Sequence, residues 1–366
     1  MPVENPSTRD TDSKRLAFDI TGNDVAVVNA LRRVILSDVE SVAPRYNPMH
    51  PDDNDINIVL NNTVLHDQIM GQRIALIPIH LAAADVKAHV QSSLKFVINK
   101  SNVGKEPVDV TSADIAVYDS EGSPLSDDAR KAMFPPDKIT GDYILLAKLK
   151  PVVSREGAVL RAGDTLRCEY VARRGCGRQS AHWCPVSACF FANAIDYELA
   201  ATKLQEKLVG VEAPDERKRI QEHHATIDRL QCCVPDAFRF TVESECGMSA
   251  RDVVLEGFSI LIDKVRALRS KTKVVERNGP MFTLAVSGEN HTLGNMYQAL
   301  ALRFFEADLD FVGYSMPHPL EESIVIKVQL ASRSEDEADL WAFLERSSSE
   351  IDRYLESVRQ DFERVV

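Results

Sequence analysis

Two stretches decide how this chain is read: "TGNDVAVVNALRRVILSD" at 21–38 and "SGENHTLGNMYQALALRF" at 287–304. They align without gaps, matching Gly22 with Gly288 and Asn29 with Asn295. Each follows a short strand candidate, over 14–20 or 282–287, and each reads as a small glycine turn feeding an apolar-rich helix. At about 100° per residue, both helices keep a polar stripe of similar width at the same angle. In the first copy the stripe holds Asn29, Arg32, Arg33 and Ser37, and in the second His291, Asn295, Gln298, Arg303 and Glu306. Val25, Val28, Leu31, Val34 and Ile35, or Leu293, Tyr297, Leu300, Phe304 and Phe305, fill the rest of each cylinder. Helices this apolar must be covered on most sides.

The repeat continues past these helices. A strand candidate follows each, "ESVAPRY" or "FVGYSMP", and the second copy then runs into "SIVIKVQL", where Ile324, Ile326, Val328 and Leu330 alternate as in a half-buried strand. The first copy reaches its equivalent only at "FRFTVES", where Phe238, Phe240 and Val242 alternate. The material between, including a helical stretch over 193–231, reads as an insertion. Both copies close on a helix with a capping-box pattern, Ser249 with Asp252 and Ser334 with Glu337. One helix carries the apolar seam Val254, Phe258, Leu261, Val265 and Leu268, and the other Leu340, Leu344, Ile351, Leu355, Val358 and Phe362. Seams of this spacing pack helix against helix.

The pattern predicts an α+β fold: an intramolecular pseudo-dimer of two related dimerisation halves, with a strand-rich domain inserted in the first. The expected boundaries are a flexible tail over 1–13, a first half over 14–49 and 187–270, an inserted domain over 50–186, a linker over 271–281 and a second half over 282–366. The halves are expected to meet through Val28, Asn29, Leu31 and Ile35 of one short helix and His291, Leu293, Asn295, Leu300 and Phe304 of the other. The seams, above all Phe258, Leu261, Val265, Leu344, Ile351, Leu355 and Val358, complete that contact. The linker "SKTKVVERNGP" ends in an Asn-Gly-Pro turn signal. Fusion fixes the stoichiometry and raises each half's effective concentration to roughly millimolar, so no homodimer is expected.

Composition bounds the function. The 366 residues are 44% hydrophobic and 27% charged, as in an ordinary globular protein. No apolar run approaches the roughly 18 residues of a membrane span, and no secretory leader pattern opens the chain. The seven cysteines show no CxxC spacing, which suits reduced thiols in a cytosolic or nuclear compartment. A net charge of −12 opposes nonspecific contact with phosphate backbones, so any work on nucleic acid goes through partners.

No catalytic chemistry emerges. Cys176, Cys184, Cys189, Cys232 and Cys233, with His182, His223 and His224, match no zinc template. Gly175 and Gly177 lack the third glycine and the Lys-Ser/Thr of a phosphate loop and read instead as a turn before a buried Trp183. His291 has no nucleophile or orienting acid beside it, which favours capping or packing. The sequence therefore assigns no catalytic residue, metal or cofactor. Two other classes remain to be weighed: a standalone nucleic-acid-binding factor using loops such as "ARRGCGR", which salt-dependent binding would reveal, and a metal hydrolase, which needs stoichiometric metal.

Five motifs now carry a resemblance. His291–Asn295 ("HTLGN") and Asn29–Arg33 ("NALRR") each hold one part of a signature that bacterial RNA polymerase α subunits carry as one run. "NNTVLHDQIMGQRIALIPI" (61–79), "GCGRQSAHWCPVS" (175–187), "FTVES.CG" and "GYSMPHPLE" (313–321) stand in the family's order. The first half resembles the D subunit of archaeal RNA polymerase and the third-largest subunit of eukaryotic RNA polymerase II, and the second resembles their smaller L-type partner. A fusion of the two is similar to polymerases of large nucleocytoplasmic DNA viruses.

The resemblance implies a non-catalytic assembly platform on which the two large polymerase subunits dock, the second-largest above all, with small zinc-bearing subunits alongside and DNA reached only through the complex. It places Arg33, Arg32 and, in the insert, Arg73 on surfaces facing the large subunits. It implies the cytoplasm or nucleus of a host cell, or packaging in a virion, without secretion or membrane attachment. The family's cysteine-rich zinc loop has no counterpart in "HLAAADVKAHVQSSLKFVINK" (80–100), so neither zinc loop nor iron–sulfur cluster is expected.

Overall fold

Where apolar residues alternate, strands form with one buried face: Leu16, Phe18 and Ile20 are all buried along Arg15–Thr21, and Ile324, Ile326, Val328 and Leu330 along Ser323–Leu330. The computed structural model describes residues 3–8, 14–89, 94–154 and 158–366. It divides into two compact units, the first made of Met1–Ile35, Ala188–Glu243 and Val254–Val366, the second of Leu36–Ser187 and Ser244–Val253.

The first unit holds two four-stranded sheets of one topology. Their orders are Val3–Thr8, Arg15–Thr21, Cys233–Ser244, Val186–Ile195, and Thr272–Asn278, Met281–Ser287, Ser323–Leu330, Leu309–Ser315. In each sheet the second and third strands are antiparallel, with Phe240 opposite Phe18 in one and Ile326 opposite Leu284 in the other. Each sheet's second strand leads through a left-handed glycine, Gly22 at φ 65° or Gly288 at φ 70°, into a short helix, Val25–Ser37 or His291–Phe305. Each third strand leads to a long helix, Ala250–Lys271 or Glu337–Val365. The α+β pseudo-repeat read from the sequence is thus the architecture of this unit.

Several connections differ from the expectation. Glu40–Ala43, within "ESVAPRY", pairs with Arg173–Cys176 in the second unit, and the strand equivalent to Leu309–Ser315 is Val186–Ile195. The second unit accordingly begins at Leu36 rather than 50. The expected tail contains the strand Val3–Thr8, while 1–2 and 9–13 lie outside the described residues. The expected linker is also a strand, Thr272–Asn278, which hairpins onto Met281–Ser287 through Gly279 at φ 56°. These two segments are equivalent edge strands of the two sheets.

Caps follow local chemistry. Asp24 Oδ1 accepts the Ala26 N–H at 2.7 Å, and Asn290 at the matching position accepts the Thr292 N–H at 2.9 Å. Ser249 caps Asp252 as the sequence pattern required, at 3.1 Å. Ser334 does not cap Glu337: the N-cap is Asp336, and Ser334 instead donates to Asp339 at 2.6 Å. An aspartate nearer the helix start outcompetes the serine.

The second unit is strand-rich. Its main sheet runs Ile56–Asn61, Thr165–Val171, Leu94–Ser101, Ile115–Asp119, all neighbours antiparallel. One face buries Phe96, Ile98, Cys168 and Tyr170, with Phe96 stacked on Tyr170 at 4.9 Å. Burial, aided by the neighbouring Glu169 charge, pushes the Cys168 thiol up to about 12, so it is an inert core group. The helix Asp67–Ala75 packs Gly71 against the Tyr46 ring, where a Cβ would collide.

Candidate interaction surface

The short helices bury their apolar arcs. Val28, Leu31, Val34 and Ile35 are sealed in the first and Leu293, Met296, Tyr297 and Leu300 in the second. "HTLGN" needs its glycine because a Cβ on Gly294 would enter the Tyr314 ring of "GYSMP". Gln298 Oε1 accepts the Tyr314 N–H at 3.1 Å, and His291 sits edge-on to the same ring at 5.8 Å. His291 therefore packs, while Asn290 caps.

The long helices bind the halves together. Every seam residue read from the sequence, including Val254, Phe258, Leu261, Val265, Leu268, Leu344, Ile351, Leu355 and Val358, is buried. Phe362, from the second half, lies 4.9 Å from Phe18 and 6.2 Å from Phe258, both of the first. Arg266 reaches across to Asp352 at 3.1 Å and Glu356 at 3.2 Å, and Arg269 lies 3.6 Å over the Trp341 ring. Ser347, which interrupts the second seam, is fully buried and shares a 2.8 Å hydrogen bond with the Tyr297 hydroxyl.

Each half's glycine turn is held by the other half. The carboxylate of Glu289, 1% exposed, receives Lys264 at 3.1 Å and Lys271 at 2.7 Å from the first long helix. Asn23, at the matching position, accepts the hydroxyl of Tyr354 from the second long helix at 2.5 Å. Burial raises the Tyr354 phenol's pKa against the opposing pull of Arg303, so it stays a neutral donor. Arg303 also donates to the Gly22 carbonyl at 3.2 Å. Reciprocal contact of matching surfaces is the signature of an isologous, two-fold interface.

The singled-out arginines separate. Arg32, half-buried, donates Nε and Nη2 to Asn29 of its own helix at 3.1 and 3.0 Å. Arg33 donates Nε to the Thr292 hydroxyl of the second half at 2.8 Å. Arg73 is exposed in the second unit and donates to the Leu145 carbonyl at 2.6 Å. Asn295 is exposed and Phe304 half-buried, with Phe304 lying 5.2 Å from the Tyr354 ring.

Sequence reasoning did not find Glu289, Lys264, Lys271, Asn23, Thr292 or Tyr354. The signal in the sequence is a polar residue directly after the glycine in both copies, Asn23 or Glu289, and both are buried. Among the described residues no group of His, Cys, Asp and Glu could hold a metal, and no helix is long and apolar enough to cross a membrane. Positions 90–93, within the stretch 80–100, lie outside the described residues.

Two sheets of one topology, paired through their helices, define an α-type dimerisation fold carried twice in one chain. The family model described as the RNA polymerase Rpb3/Rpb11 dimerisation domain matches residues 17–265, and a second model of the same description matches 281–361. The chain belongs to this family of RNA polymerase dimerisation domains. It is 24% identical over 303 residues to DNA-directed RNA polymerases IV and V subunit 3B of Arabidopsis thaliana, covering 71% of this chain and 88% of the relative. It is 25% identical over 282 residues to DNA-directed RNA polymerase subunit Rpo3 of Methanopyrus kandleri, covering 71% and 92%. A shorter match, 40% identical over 74 residues, covers 20% of this chain and 56% of a probable DNA-directed RNA polymerase II subunit RPB11 of Caenorhabditis briggsae.

Proposed function

We propose that this chain is the assembly platform of a DNA-directed RNA polymerase, a D-like and an L-like subunit fused into one polypeptide that docks the two large catalytic subunits and performs no chemistry itself. The observation that carries this reading is the reciprocal hold of each half on the other's glycine turn, in a family of polymerase dimerisation domains. Arg33, which also holds the Thr292 hydroxyl, and Arg32 beside it meet the second-largest subunit, and Arg73 meets the large subunits from the inserted domain. Small zinc-bearing subunits dock beside them, and DNA is reached only through the assembled enzyme. Fusion of this kind fits the polymerase of a large nucleocytoplasmic DNA virus, acting in the cytoplasm or nucleus of its host.

Affinity isolation of the tagged chain from its native source tests this reading. Both large polymerase subunits should co-purify with the wild type, and Arg32→Glu should lose the second-largest while the chain keeps its melting temperature. Recovery without polymerase subunits would overturn the assignment, and unchanged assembly of the variant would remove Arg32 from the interface.

A further inference from the structure

The hold between the halves is reciprocal in geometry but not in chemistry. At the matched turn positions the first half offers an amide, Asn23, and the second a carboxylate, Glu289, both buried. The long helices answer in kind: Tyr354 meets the amide, and Lys264 with Lys271 meet the carboxylate. The short helices differ in the same way. Arg33 donates to Thr292, whereas the positions that match these two in the opposite halves are Ala299 and Ala26.

We infer that these residues form a pairing code that selects unlike halves over like ones. If two first halves met in the same geometry, Lys264 and Lys271 would converge on the neutral amide of Asn23, and Arg33 would face Ala26 in place of a hydroxyl. If two second halves met, the buried Glu289 would face only a phenol and Thr292 would face Ala299. Leaving the Glu289 carboxylate buried without an ammonium is strongly disfavoured, and two first halves would forgo both that ion pair and the Arg33–Thr292 hydrogen bond, so each like pairing is penalised while the apolar seams discriminate little. The code keeps the chain closed on itself and denies this surface to a second copy. It rests on the contacts between the halves and is independent of what they assemble with.

The full-length chain offers the test, because each like contact can be written into the closed form by giving one half the other's residue. Glu289→Asn reproduces the contact of two first halves, and Asn23→Glu that of two second halves. Each should lower the folding equilibrium constant about tenfold to a hundredfold in chemical denaturation. Thr292→Ala should lower it only a fewfold. Since Asn23→Glu loses stability whether the position is selective or merely crowded, the deciding variant adds Tyr354→Lys, which supplies the new carboxylate with an ammonium from the facing helix. Recovery of at least most of the lost stability, with a monomeric mass in light scattering, is expected. Wild-type stability of Glu289→Asn and Asn23→Glu, or a double variant no better than Asn23→Glu alone, would overturn the code.

Discussion

After its short helix the second half passes through the turn Glu306–Asp308 and returns at once in Leu309–Ser315. At the same point the first half departs into the second unit and resumes in Val186–Ile195. Between its last two strands the first half adds the helices Tyr197–Leu208 and Pro214–Thr226, where the second half has only residues 316–322. Both insertions fall in connections, while each half keeps its glycine turn, a short helix capped by Asp24 or Asn290 and a long helix, of 22 residues in the first half and 29 in the second. Insertion in a connection costs loop entropy that grows slowly with length, whereas a change in a packed helix disturbs every contact on its face. The comparison teaches that the pairing surface, not the sheet's connections, is what this chain must hold constant.

The first way to break the comparison is to remove the aromatic contact that makes the halves one core. Phe362→Ala should cost about 3–5 kcal/mol in denaturant unfolding, the range of a buried phenylalanine truncation. A cost near that of a surface substitution would show that the halves do not depend on each other. Next comes the point where the short helices differ, since Gly294 matches Val28 in the first half. Gly294→Ala should cost about 1–3 kcal/mol by overpacking against Tyr314, measured as a lower denaturation midpoint.

Smaller effects sharpen the distinction between the seam and its rim. Arg266 is 53% exposed, so Arg266→Ala should lower the denaturation midpoint far less than Gly294→Ala, and by less still in high salt. The smallest effect concerns the helices found only in the first half. A hydrogen bond from Lys207, aided by His223, holds the Asp228 carboxyl below its ordinary value of 3.8. A depressed carboxyl pKa contributes stability that is present above the unfolded value and lost as pH falls through the folded one. The protection of the Pro214–Thr226 amides, relative to unfolded-chain exchange at the same pH, should therefore fall on acidification below the ordinary carboxylate range, and Asp228→Asn should flatten that response.

The alternation of Phe238, Phe240 and Val242 and the helical spacing of Val254 to Leu268 made the sheets and seams legible, because burial on one face leaves a period in the sequence. Pairing partners leave none. "ESVAPRY" carries strand character, but its pairing with Arg173–Cys176 is set far along the chain, so its place in the repeat was misread. Val3–Thr8 reads as part of a flexible tail and Thr272–Asn278 as part of a linker because edge strands carry polar residues, and only the shared topology reveals them as one element in two copies. The candidate surface was legible in part for the same reason. The arginine stripe stands out against its apolar helix, whereas nothing in the spacing of Lys264 and Lys271 marks them as partners of a buried Glu289.

The central claim is that one chain supplies both halves of the α-type pair. Native mass spectrometry of the polymerase isolated through this chain measures it directly. The account predicts one copy per complex, together with both large subunits and no separate L-type chain. Two copies, or one copy paired with an L-type subunit, would contradict it.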